Sequence, residues 1–94
     1  MNFGEIIKQE RKSQGMTQKE LAAKAKIATT TLSFLESGVG RYPNVETLTS
    51  VAYALGIYPS WLILNSISEK DVPAENRERF QELRKEMAQL LKVK

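Results

Sequence analysis

The stretch over residues 16–38 most constrains what this 94-residue chain can fold into. Thr17 and Glu20 have the Thr-x-x-Glu spacing of a capping box, in which each side chain hydrogen-bonds the other residue's backbone N–H at a helix start. Two runs with apolar residues at helical spacing follow, and Gly38 ends the second run as a left-handed C-terminal residue. The stretch predicts two short helices, over residues 18–25 and 29–36, joined by a tight turn.

Three further helices are predicted around this pair from apolar spacing and from start and stop signals. The first covers residues 3–13 and ends before Gly15. The fourth covers residues 45–55 between an N-cap at Asn44 and a stop at Gly56, and the fifth covers residues 59–64 with Pro59 in its first turn. Their expected inward residues are Phe3, Ile6, Ile7, Val45, Leu48, Val51, Ala52, Leu55, Trp61 and Leu62.

The tail divides into a linker over residues 67–73 and a sixth, amphipathic helix over residues 74–94, while residues 1–66 form the main domain. Apolar residues in the sixth helix recur with spacings of three, four and three, which is an a/d heptad seam. This seam, with its neighbour Leu91, is the candidate dimer interface: Phe80, Leu83, Met87, Leu90 and Leu91. A helix this short is marginal without tertiary contacts, so dimerisation, packing onto its own domain and docking of another protein all stay open.

The composition argues against an enzyme. The chain has no cysteine and no histidine, which removes disulfides, thiolate metal sites and the commonest general base. It also lacks a glycine-rich phosphate loop and a metal-ligand cluster. We therefore expect no catalytic residues, no metal site and no cofactor. No signal peptide or membrane-spanning segment is recognisable, so we expect a cytoplasmic protein without membrane contact.

The net charge of +3 is weak evidence for a nucleic-acid partner, but its distribution says more. Residues 1–41 contain seven basic and four acidic side chains, whereas residues 42–69 contain no Lys or Arg. One end of the domain should be electropositive, as a one-sided DNA binder needs. An ordinary solvated surface would explain the charges equally well.

An ordered set of residues between positions 3 and 64 is typical of one family. The set is Arg11, Gly15, Met16-Thr17-Gln18, Glu20-Leu21-Ala22, Leu32, Leu35-Glu36-Ser37-Gly38, Pro43, Leu48, Ala52, Leu55-Gly56 and Trp61-Leu62. In this order it resembles the phage-repressor/Cro-type helix-turn-helix proteins. The resemblance implies an all-α fold, a five-helix repressor-like domain followed by the C-terminal amphipathic helix. It also implies binding to double-stranded DNA, usually as a dimer.

The resemblance also implies roles for single residues. Gln18 contacts a phosphate and supports the first residue of the recognition helix, which is the second helix of the pair. The candidate DNA-binding residues are Thr17, Gln18, Lys26, Thr29, Thr30, Ser33, Phe34, Ser37, Arg41, Tyr42 and Asn44. Of these, Arg41, Tyr42 and Asn44 approach the DNA backbone or the minor groove. Arg11 and Glu36 form an internal, structural ion pair.

Two positions depart from the family pattern. Ala28 stands where Ser or Thr usually caps the recognition helix, and Phe34 stands where a polar base reader is common. A phenyl ring can contact a thymine methyl or pack against the following loop. We expect a sequence-specific transcriptional repressor that binds a near-palindromic operator as a homodimer. The alternative is a protein-interaction module, such as an antitoxin or an antirepressor-like protein, that binds a protein partner.

Overall fold

The computed structural model describes residues 1–38 and 43–92, and within them the chain is all-helical. The α-helices are α1 (Phe3–Ser13), α2 (Gln18–Ala25), α3 (Thr29–Ser37), α4 (Val45–Ala54), α5 (Pro59–Ser66) and α6 (Arg77–Leu91). Two short 3₁₀ helices, Glu69–Asp71 and Ala74–Asn76, lie between α5 and α6. The predicted all-α fold class is confirmed.

Helix starts and stops follow from local chemistry. At the start of α2, the Thr17 hydroxyl accepts the backbone N–H of Glu20 at 3.1 Å, and the Glu20 carboxylate accepts that of Thr17 at 3.0 Å. The left-handed glycines expected after α1 and α3 are present, with φ of +70° at Gly15 and +73° at Gly38. The main differences lie late in the chain, where α5 extends to Ser66 and a 3₁₀ turn precedes α6.

The core lies between α1, α2, α3, α4 and α5. Its fully buried large apolar side chains are Ile7, Leu21, Leu32, Val51 and Leu62. Trp61 is also buried, as expected. Val45 was expected to face inward, and this was wrong: it is 80% exposed. It is the first residue of α4, directly after the N-cap Asn44, so it precedes the part of the helix that reaches the core.

Gly4 brings α1 against the last turn of α3. It is buried, and a β-carbon at this position would lie 2.9 Å from the backbone oxygen of Glu36 and closer still to that of Leu35. Only a residue without a side chain allows the two backbones to approach this closely. The contact fixes where α3 ends relative to α1.

One face of α6 packs on its own domain. Ala88 and Leu91 contact the core cluster, and the Lys92 ammonium lies 4.9 Å from the centroid of the Trp61 ring. A neighbouring flank stays exposed, with Leu83 at 39%, Met87 at 48% and Leu90 at 84%. Packing within the chain therefore leaves part of the heptad seam exposed.

Among the described residues, no single helix is long and apolar enough to cross a membrane. In the same part of the chain, α4 and α5 taken together reach the required length and composition, and the pair is bent by 107°.

Candidate nucleic-acid interface

Helix α3 has one buried and one exposed side. Leu32 and Glu36 face the interior, whereas Thr29, Thr30 and Ser33 are exposed. Phe34, also on the outer side, is 63% exposed, which is an unusual position for a phenyl ring. The helical period of 3.6 residues produces this division, and the outer side carries short hydroxyl groups with one aromatic ring.

Arg11 and Glu36 anchor the inner side of α3. The Arg11 Nε donates to Glu36 Oε2 at 2.7 Å, and Nη2 donates to Glu36 Oε1 at 2.9 Å. A third guanidinium nitrogen, Nη1, donates to the backbone oxygen of Met16 at 2.8 Å. The bidentate pair therefore ties α1 to α3 and to the turn before α2.

The titration of the pair follows from its burial and partners. Burial alone would raise the pKa of Glu36, but hydrogen bonds from Arg11 and Gln18, with the positive charges of Arg11 and Lys8, outweigh it and lower that pKa. The hydrogen bond to Glu36 raises the pKa of Arg11 despite its burial. Both groups are therefore charged at neutral pH, and Arg11 does not add to the exposed basic surface.

Gln18 lies half-buried at the first position of α2, and its amide Nε2 donates to Glu36 Oε1 at 3.1 Å. A primary amide carries two N–H donors, and this bond uses one. The residue expected at a phosphate thus also contacts the inner ion pair, which links α2 to α3.

Three of the candidate DNA-binding side chains are exposed and also make local hydrogen bonds. The Thr17 hydroxyl takes part in the capping box. The Asn44 side-chain oxygen accepts the backbone N–H of Thr47 at 2.7 Å, and the Ser37 hydroxyl donates to the backbone oxygen of Phe34 at 2.9 Å. Arg41 and Tyr42 lie outside the described residues.

Lys26 ends α2 in a left-handed backbone conformation, with φ of 59° and ψ of 43°. Its backbone N–H donates to Ala23 and that of Ile27 donates to Ala22, which closes the helix end. The sequence indicated the turn but not this conformation, because glycine is the usual residue there. Lys26 is exposed, as a DNA contact requires.

Helix α3 follows the N-cap residue Ala28, which provides no side-chain cap. This agrees with the departure noted in the sequence, since an alanine side chain has no acceptor for the first backbone N–H groups.

Sequence reasoning missed the part that Gly4 plays in placing α3. A glycine inside a helical pattern is a signal for close packing, but which element approaches it depends on the tertiary fold.

The comparisons with known proteins agree with this geometry. A model of the helix-turn-helix family matches residues 7–62, which include α2, α3, α4 and parts of α1 and α5. The chain belongs to the phage-repressor/Cro-type helix-turn-helix family. The family consists of DNA-binding regulators, and the resemblance read from the sequence is confirmed.

One sequence relative and one solved structure are similar to this helix-turn-helix protein. The chain is 35% identical over 100 residues to the immunity repressor protein of Bacillus phage phi105, and the match covers 93% of this chain. The chain spans only 65% of the length of that relative. Its fold is similar to a chain in the SinR protein/SinI protein complex, with a TM-score of 0.65 and 27% identity over 86% of this chain and 77% of that one.

Proposed function

We propose that this helix-turn-helix protein is a cytoplasmic transcriptional repressor that binds a near-palindromic operator as a homodimer. The observation that carries the proposal is the division of α3, whose inner side is locked to the domain while Thr29, Thr30, Ser33 and Phe34 face outward. A helix held in this way can enter the major groove of DNA. The name of the phage relative, an immunity repressor, favours repression.

Base recognition would come from few and short side chains. The hydroxyls of Thr29, Thr30 and Ser33 can donate to or accept from base edges, and the Phe34 ring can contact a thymine methyl. Such a surface supplies modest direct readout, so a real share of the specificity would come from DNA shape and deformability.

Most of the affinity would come from phosphate contacts. We assign these contacts to the residues around the two ends of α2 and α3 and in the following loop: Thr17, Gln18, Lys26, Ser37, Arg41, Tyr42 and Asn44.

The exposed flank of α6 is the proposed dimer interface. Leu83, Met87 and Leu90 share this flank, and the half-buried Phe80 continues it toward the start of the helix. Leu91, which the sequence assigns to the interface, instead packs against the core of its own domain. Joining two copies along this flank would present two α3 helices to successive major grooves, about 34 Å apart.

Selection of bound sites from random DNA tests the proposal. We expect an inverted repeat, and binding to it should weaken steeply as salt rises, because phosphate contacts release counterions. Recovery of sites without repeat symmetry, or a flat dependence of affinity on salt, would contradict it.

A pair of variants tests the dimer interface. Met87→Glu places a charge on the exposed flank and should convert the dimer to monomer in sedimentation experiments. Gln89→Glu adds the same charge on the polar side of α6, where Gln89 is exposed, and should leave the dimer intact. A Met87→Glu protein that remains dimeric would remove this flank as the interface.

A protein-interaction module is the second candidate. It is favoured by the structural neighbour, which is a chain of a complex between two named proteins, and by the same exposed flank of α6. A purified chain that stays monomeric and binds its selected DNA only after a second polypeptide is added would favour this candidate over the homodimer.

A further inference from the structure

The sequence predicts a linker over residues 67–73, which lie between α5 and α6, but three of their backbone carbonyls accept hydrogen bonds from two arginines of α6. We call this segment the strap. Arg84 Nη1 donates to the backbone oxygen of Ile67 at 2.6 Å. Arg77 Nε donates to the backbone oxygens of Glu69 at 2.8 Å and Val72 at 3.2 Å. The two arginines therefore bind the strap at its beginning, middle and end.

Further bonds fix the shape of the strap. The Asp71 carboxylate accepts the backbone N–H and the hydroxyl of Ser68 at 2.9 and 3.0 Å, across the 3₁₀ helix Glu69–Asp71. Before the strap, Ser66 is fully buried, and its backbone oxygen accepts the N–H of Asn2 at 2.6 Å. The strap thus starts from a fixed point on the domain and turns along a defined path.

The arginine side chains are themselves held. The Arg84 guanidinium lies 5.4 Å from the centroid of the Phe80 ring and also donates to the Gln81 side chain. Arg77 and Arg84 are half-buried on the face of α6 that also carries Ala88. A guanidinium presents its donors in a planar, rigid fork, so these bonds constrain the direction in which α6 leaves the domain.

We infer that Arg77 and Arg84 are positioning residues that set the spacing between operator half-sites. The inference rests on the proposed homodimer. If two copies join along α6, the path of the strap determines how far apart the two α3 helices lie. The packing of Ala88 and Leu91 on the core holds the C-terminal half of α6, and the arginine-held strap holds its N-terminal half. Without the two arginines, we expect α6 to reorient enough for the two domains to accept several spacings.

The test compares the wild type with Arg77→Met/Arg84→Met on operators whose half-site spacing is changed by about one or two base pairs. The wild type should prefer one spacing by about tenfold or more. In the double variant this preference should shrink to about threefold or less, while its affinity for a single half-site stays the same. Arg79→Met is the control, because Arg79 is exposed on the same helix, pairs with Glu82 rather than with the strap among the described residues, and should keep the wild-type preference.

A double variant with the spacing preference of the wild type would overturn the inference and leave the proposed function standing. A wild type that is monomeric, or that binds no inverted repeat, would overturn the proposed function, and the inference with it. A wild type that binds all spacings equally would overturn the inference alone.

A second measurement does not depend on the folding of the double variant. The chain has no cysteine, so Lys12→Cys on the exposed side of α1 accepts one spin label per protomer. The distance between the two labels in the free dimer should be a single narrow distribution. A broad or two-peaked distribution would mean that the strap does not fix α6, and the inference would fail.

Discussion

Arg11 of α1 donates to both carboxylate oxygens of Glu36 in α3, at 2.7 and 2.9 Å, and both side chains are buried. Removing one partner leaves a buried charge unpaired. We therefore expect Arg11→Met to lower the free energy of unfolding by about 3–5 kcal/mol, measured by urea denaturation at neutral pH. Arg79→Met breaks the exposed pair with Glu82 and should cost less than about 1 kcal/mol. Equal losses in the two variants would contradict a structural role for the inner pair.

The same pair predicts a sensitivity to acid. The folded protein lowers the pKa of Glu36 below its ordinary value of 4.5, which the unfolded chain retains. The resulting stabilisation is complete above the unfolded pKa and is lost as the pH falls through the folded pKa. Stability should therefore fall more steeply below about pH 4.5 in the wild type than in Glu36→Gln. The pKa values of Glu20 and Asp71 are also lowered. Both residues are present in both proteins, so their contributions cancel in the difference between the two pH profiles. If stability falls equally steeply with pH in the two proteins, ionised Glu36 does not stabilise the fold.

Gly4 should resist substitution even by alanine, the best helix former. Gly4→Ala places a β-carbon against the backbone oxygens of Leu35 and Glu36, and these atoms belong to a helix and cannot move aside alone. The gain of up to about 1 kcal/mol in helix propensity should be exceeded by overpacking, giving a net loss of about 1–3 kcal/mol. Gln9→Ala, at an exposed site of the same helix, should change stability by less than about 0.5 kcal/mol. Thermal unfolding of the two variants measures the difference.

Two glycine substitutions at the end of α2 should change the stability of the domain in opposite directions. Lys26 holds a left-handed conformation that costs a side chain about 1 kcal/mol or more, so Lys26→Gly should stabilise the domain by several tenths of a kcal/mol. Lys24 lies inside the last turn of α2, and Lys24→Gly should destabilise by about 1 kcal/mol. Urea midpoints that move in the same direction would be evidence against strain at Lys26. If Lys26 contacts DNA as proposed, Lys26→Gly should also weaken binding while it stabilises the fold.

A negative charge placed on the outer side of α3 should weaken operator binding without unfolding the domain. Thr30 and Ser60 are both exposed second residues of their helices, α3 and α5, where a carboxylate favours the helix. Thr30→Glu should weaken binding about tenfold or more through repulsion from phosphates. Ser60→Glu should leave the affinity nearly unchanged. Both are measured by fluorescence anisotropy with a selected site, and unaltered binding by Thr30→Glu would remove α3 from the interface.

The sequence was sufficient to predict helix ends, because these depend on residues close together in the chain. The Thr17–Glu20 box, the left-handed Gly15 and Gly38 and the first-turn Pro59 place helix ends through short-range geometry. The first two helices therefore have the predicted bounds, and α3 differs by one residue.

Features that depend on contacts between residues distant in the chain could not be predicted from the sequence. Val45 fits the apolar pattern of α4 but lies before the helix meets the core. Arg77 and Arg84 look like surface charges in a polar helix, and only the folded path of the strap brings carbonyl groups to them. Gln18 could be assigned to a phosphate by resemblance, but its bond to Glu36 required the positions of three helices.

That shared carboxylate has a consequence for association with DNA. Glu36 accepts donors from α1 through Arg11 and from α2 through Gln18, so neither helix can shift alone without uncovering an ionised group. The outer side of α3 is thus preorganised, and if it binds DNA as proposed, little conformational entropy remains to be lost on binding. Encounter with an operator would then resemble rigid docking, with the duplex rather than the protein doing most of the bending.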